Sequence, residues 1–175
     1  MNEPKTSLAQ ILGLARAGAS ARAWELFTAA GWNARADDPA ALTLKGRLLK
    51  DQAKMAEGPA RATIFRHSAD AYAAAAALAP ATYPLINAAS LALLSEDEAR
   101  ARDLARQVLE LLDSGEHTPD TPYWLTATRA EALLFGPEPR GCGEGAEGSH
   151  KTGPASVGGS RSYAWAICAD RSEAG

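Results

Sequence analysis

Cysteine is nearly missing from this chain. Cys142 and Cys168 lie in the last quarter, and residues 1–135 carry none. That excludes a disulfide scaffold and fits a reducing cytoplasm, the expected location. Aromatic residues make up only 6%, too few for an ordinary β-sandwich core. No apolar run approaches the roughly 20 residues that span a bilayer. The opening "MNEPKTSLAQ" lacks the basic and apolar blocks of a signal peptide. Charge of one sign is scarce as well. The net charge is −3, and acids alternate with bases as on solvated helix faces. No basic-aromatic stripe suits nucleic acid. Glycine is sparse at first, with six in residues 1–135, then dense, with nine in residues 136–175.

What is present is alanine, which supplies much of the 46% apolar content of the 175 residues. Alanine favours helices and lets them pack closely. The length suits about one domain. Residues 1–135 are expected to form that domain, all-α. Residues 136–175 read as a Gly/Pro/Ser-rich tail, expected to be mostly disordered. Only "YAWAICA" at 163–169 breaks its pattern.

Three helices are expected to start at Asp38-Pro39, Tyr83-Pro84 and Thr121-Pro122. Proline suits a first helical turn, where its missing N–H is unpaired anyway. Asp38 and Thr121 can cap free amides. The starts lie 45 and 38 residues apart, so a unit repeats near every 40 residues. Each of the first two is followed by a second helix. Ser95 and Glu98 have capping-box spacing. Ala101, Ala105, Val108 and Leu112 share one face after it, and Phe65, Ser68, Tyr72, Ala75 and Ala79 share another. At the N-terminus "SLAQILGLARAG" and "SARAWELFTAAG" form a further pair, with turns at Gly18 and Gly31. Small residues recur where paired helices meet. They are Gly46, Ser90 and Thr128 on first helices, and Ala23, Ser68 and Ala101 on second ones. Residues 51–67 exceed a usual inter-helix turn by about nine residues. They are expected to extend the helices or bulge as a loop.

These spacings resemble the tetratricopeptide repeat. Its second-helix signature appears as Ser68, Tyr72, Ala75 and Pro80, and as Ala23, Phe27 and Ala30. Its first-helix signature appears as Leu42, Gly46 and Leu49, and as Ile86, Ser90 and Leu93. The likeness covers most of residues 7–135. More narrowly, "YPLINAASLALL" and "YWLTATRAEALL" resemble the tetratricopeptide-type TRAF-binding region of apoptosis-signal-regulating kinases and its bacterial relatives. The resemblance implies an α-solenoid of stacked helix hairpins that serves regulation or assembly. It carries over no TRAF-binding residue.

By the same resemblance, first helices line a concave groove. That places Thr43, Arg47, Lys50, Asn87, Leu125 and Arg129 on its wall, facing a protein or peptide partner of acidic character. Arginine suits carboxylates because its planar fork makes two bonds at once. Asn87 interrupts an apolar run. It either ties adjacent units together or touches a ligand, and the charged residues are either a binding surface or an ordinary solvated face.

Catalytic chemistry has no constellation behind it. His67 and His117 lie on a helix surface and in a turn. Cys142, His150 and Cys168, spaced by 8 and 18, match no compact zinc pattern. No cofactor or metal is expected. Trp24, Trp32 and Trp124 are expected to fill gaps between helices. The leading function is a non-enzymatic interaction scaffold. The alternative is a regulatory segment of a larger signalling protein, of kinase or nucleotide-cyclase type, truncated or frameshifted near residue 136. The unit starting at Thr121 has one helix, and "FGPEPRGCGEG" follows where a second is due. A tail read out of frame from GC-rich DNA would look like this. A helix in another reading frame of the coding DNA is the test. With that helix missing, Trp124, Leu125, Leu133, Leu134 and Phe135 are expected to be exposed and to drive self-association.

Overall fold

The computed structural model describes residues 6–136. Among them are seven α-helices, one short 3-10 turn at Trp32–Ala34 and no strand. The helices are α1 (Leu8–Arg16), α2 (Ser20–Ala29), α3 (Pro39–Met55), α4 (Gly58–Leu78), α5 (Thr82–Leu94), α6 (Glu98–Ser114) and α7 (Pro122–Leu134). Each packs on the next in the chain, and α1 also touches α3 while α5 touches α7. The result is a row of antiparallel hairpins of tetratricopeptide type. The expectations for the tail, the two cysteines and His150 fall outside the described residues.

The helix starts follow the sequence signals with one shift each way. Asp38 accepts hydrogen bonds from the amides of Ala40 and Ala41 at 2.9 and 3.0 Å. Thr121 caps α7 through the amide of Trp124. At the second start, α5 begins at Thr82, and Ala81 before it gives no side-chain cap. Pro84 therefore sits in the first turn but not at its first position. Ser7 and Gln10 form a reciprocal capping box on α1.

The capping box expected from Ser95 and Glu98 does not form. Ser95 instead ends α5, its hydroxyl donating to the Ala92 carbonyl at 2.8 Å. Glu96 then takes a left-handed φ of 65°. Asp97 caps α6 through the amide of Arg100 at 3.1 Å. The α5 carbonyls claim Ser95 first, so the next helix starts two residues later than the spacing implies.

Residues 51–67 extend the helices rather than forming a loop. Only Ala56 and Glu57 separate α3 from α4. Gly58 supplies a φ of 58° at the reversal, a region where a side chain is strained.

The core has two clusters. The smaller holds Ile11, Ala15, Ala23, Phe27, Leu44 and Leu48, with Trp24 and Trp32 against it. The larger runs from Ala53 and Phe65 through Tyr72, Ile86 and Leu91 to Val108, Ala132 and Phe135. Helix α3 contributes to both, which joins the N-terminal hairpin to the rest. Helix α5 is the hub, with ten of its 13 residues buried. That accounts for a run that is apolar nearly all round: helices cover it on several sides.

The small residues sit where helices meet. A Cβ on Gly46 would lie 2.6 Å from the Tyr72 ring, and the Ser68 hydroxyl donates to the Gly46 carbonyl at 2.6 Å. Ser90, Thr128, Ala23 and Ala101 are all buried. At the far end Leu133 and Leu134 are 60% and 71% exposed. Phe135 departs from expectation. It is buried, because the chain turns at the end of α7 and returns the ring to the larger cluster.

Candidate partner-binding groove

The odd-numbered helices share one wall of an open groove of about 680 Å3. Leu8, Leu12 and Arg16 come from α1, and Pro39, Thr43, Leu44 and Arg47 from α3. Tyr83 and Pro84 come from α5 and Trp124 from α7. Ala75 and Ala79 near the end of α4 form its floor on one side. One end is closed by the α6–α7 loop. There the amide of Thr118 donates to the Pro80 carbonyl at 3.1 Å, which pins the loop to the α4–α5 turn. Thr118 and Asp120 line the groove at that end.

Helical periodicity produces this surface. Thr43 and Arg47 are four apart on α3, so both lie on one side of it. Roughly a quarter-turn around the same helix, Gly46 faces Tyr72 of α4. The surface is chiefly aliphatic and aromatic, with two guanidinium groups and the Asp120 carboxylate at one end. The Nε of Arg47 is buried and has no hydrogen-bond partner among the described residues. A buried donor without a partner costs about 1–3 kcal/mol. An oxygen acceptor entering the groove would relieve that cost.

The six expected wall residues divide. Thr43 and Arg47 line the groove. Thr43 also donates its hydroxyl to the Pro39 carbonyl at 2.7 Å. Lys50 and Asn87 are only 7% and 5% exposed. They meet beneath the surface: Lys50 Nζ donates to Asn87 Oδ1 at 3.1 Å, and Asn87 Nδ2 donates to the Tyr83 carbonyl at 2.9 Å. Asn87 thus ties α3 to α5. Lys50 lies 6.0 Å from the centre of the Tyr72 ring, a distance at which the ring face attracts a cation. Leu125 is half-buried on α7, one residue beyond the Trp124 that reaches the groove. Arg129 Nη2 pairs with Asp113 Oδ1 of α6 at 2.6 Å.

Arg16, Tyr83 and Trp124 also line the groove, none of them expected there, and Trp124 reaches it instead of only filling a gap between helices. Tyr83 and Trp124 lie in the first turns of α5 and α7. Nothing in the sequence separates Arg16 from other helix-surface arginines. Beneath the groove, Tyr72 is fully buried. Burial pushes its hydroxyl well above the ordinary tyrosine range, and the adjoining Tyr83 adds to the shift. Ser90 donates to Glu131 Oε1 at 2.6 Å, which joins α5 to α7 inside the core.

His67 is exposed on α4, and the Nδ1 of His117 is 2.9 Å from the Thr118 carbonyl. Among the described residues no three His, Cys, Asp or Glu side chains come together to hold a metal. No helix among them is long and apolar enough to cross a membrane.

Comparison with curated proteins and with solved structures returned no match. A family model described as Tetratricopeptide Repeats-Sensor matches residues 2–93, from the N-terminal hairpin almost to the end of α5. That is more than half of the chain, and with the hairpin stack it establishes that this protein belongs to the Tetratricopeptide Repeats-Sensor family.

Proposed function

We propose that this protein is a non-catalytic interaction module of the cytoplasm that takes a partner protein or peptide into the groove between α1, α3, α5 and α7. The observation that carries this reading is the groove itself. It is apolar, open and about 680 Å3 in volume, with Thr43 and Arg47 on one wall and Arg47 Nε lacking an acceptor. Apolar walls with a few placed polar groups are the usual make-up of a binding site. An acidic residue flanked by apolar ones complements both features. Lys50 and Asn87 support the wall from behind, while Arg129 pairs with Asp113 and does not line the groove.

The test is affinity capture with the full chain, alongside its Arg47→Glu variant. The reading expects a captured protein that binds at least tenfold more weakly to the variant, with helicity unchanged. Equal capture by both chains would reject the groove.

A second reading is that residues 1–135 form the regulatory domain of a larger signalling protein of kinase or cyclase type. It draws support from the word sensor in the family description. The resemblance of α5 and α7 to the TRAF-binding region of apoptosis-signal-regulating kinases agrees with it. A catalytic domain encoded in frame beyond residue 136 is its test. Under either reading Leu133 and Leu134 offer a surface for self-association.

A further inference from the structure

We propose that the groove is also a small-molecule site whose ligand is an aromatic monocarboxylate, with the carboxylate on Arg47 and the flat body against Leu44, Tyr83 and Trp124. This binding goes beyond partner capture and does not depend on it.

Charge selects the anion. Arg22, Arg35, Arg100, Arg102, Arg106 and Arg129 each pair with a carboxylate of the protein. Arg47 has no ion pair or hydrogen bond among the described residues. Yet it is half-buried among apolar groove residues. A guanidinium partly removed from water needs an acceptor, and its planar fork holds a carboxylate through two bonds. The rest of the lining sets the number of charges. Arg16 already has a partner. Thr43 donates its hydroxyl proton to the Pro39 carbonyl, and Asp120 places a negative charge at the loop end. These groups suit a ligand with a single negative charge. A phosphate or a second carboxylate lacks donors here and is repelled by Asp120.

Size and shape select the body. At about 680 Å3 the groove falls within the roughly 300–1,000 Å3 of small-molecule sites, which are apolar with a few placed polar groups. Two of its rings are held in place by neighbours. Tyr83 stands edge-on to Tyr72 with centroids 6.1 Å apart, and Trp124 stands edge-on to Tyr123 at 4.9 Å. Rings already fixed lose little freedom when an aromatic ligand packs on them. Such a ligand and a partner's acidic side chain use the same guanidinium, so each excludes the other. That exclusion, unlike the binding, rests on the partner reading.

The experiment titrates the full chain with β-naphthoate, with uncharged β-naphthamide and with inorganic phosphate, and reads backbone amide signals. The expected result is saturable shifts at Thr43, Leu44 and Tyr83 with millimolar β-naphthoate. Binding of β-naphthamide is expected to be at least tenfold weaker, and phosphate is expected to leave those signals still. Arg47→Gln is expected to lower the affinity for the acid to that for the amide, with helicity unchanged. Groove signals that stay still with β-naphthoate overturn the proposal. So does equal affinity for acid and amide, or shifts of equal size with phosphate. These comparisons use the unaltered chain, so they stand even where the variant fails to fold. Undiminished binding of β-naphthoate by folded Arg47→Gln chain overturns the proposal as well. Capture of an outside partner is a separate measurement, and either can fail without the other.

Discussion

Gly46 shows how one missing side chain sets a helix spacing. An alanine there places Cβ 2.6 Å from the Tyr72 ring, in a fully buried part of the core. Gly46→Ala is expected to destabilise the protein by about 1–3 kcal/mol through overpacking, read as a shift in urea midpoint. Gly13 in α1 has nothing within 4 Å of its missing Cβ. Gly13→Ala is expected to stabilise by about 0.5–1 kcal/mol, the ordinary gain of alanine over glycine in a helix. Equal effects at the two positions would contradict the packing described. Tyr72 gives a pH test. Its folded hydroxyl is raised above the unfolded value of about 10. Its contribution is therefore fully present below about pH 10 and is lost as pH rises beyond that. Tyr72→Phe is expected to flatten the alkaline fall in stability, and an identical fall in both proteins would rule the effect out. The small-residue positions were legible in the sequence because a close helix pair leaves no other choice of size. Lys50 and Asn87 were not. Periodicity gives a residue's angle around its own helix, but α5 is covered on several sides, so a polar residue there can be buried at almost any angle.

At the scale of elements, two polar ties hold neighbouring hairpins in register. The Lys50–Asn87 pair joins α3 to α5, and Ser90–Glu131 joins α5 to α7. Asn87→Ala leaves a buried ammonium without its acceptor, and is expected to cost about 2–4 kcal/mol. The double variant with Lys50→Met removes that charge and should recover much of the loss. If the two substitutions simply add, the tie is not what holds α3 to α5. Helix starts were readable where proline and a capping side chain coincide, at Asp38 and Thr121. The α5–α6 junction was misread by two residues. Ser95 satisfies both the signature of a helix start and the needs of a helix end, and spacing alone does not tell which amide or carbonyl reaches it first. The long stretch between α3 and α4 was legible only as excess length. That it lengthened both helices depends on the tight reversal at Gly58.

As a whole molecule, the stack places its first helices along one face, and that face is the proposed working surface. Apolar side chains are exposed on α7, the last helix among the described residues. Leu133 and Leu134 stand out at α7, and Tyr123 is 70% exposed at its start. Apolar side chains grouped on an exposed surface favour association. Concentration-dependent self-association is therefore expected in sedimentation, and Leu133→Glu with Leu134→Lys should shift it toward monomer. A clean monomer at high concentration in the unaltered chain would remove this expectation. The resemblance assigns a groove to the first helices, and of the six residues expected on its wall only Thr43 and Arg47 line the cleft, because periodicity gives an angle around one helix and not which neighbours cover it. The central claim is that partners bind there. The most direct measurement is an amide-resolved titration of the full chain with its captured partner. Shifts are expected to concentrate at Leu8, Leu12, Thr43, Arg47 and Tyr83, with α6 unchanged. Shifts gathered on the α4 and α6 surfaces, with those five signals still, would contradict it.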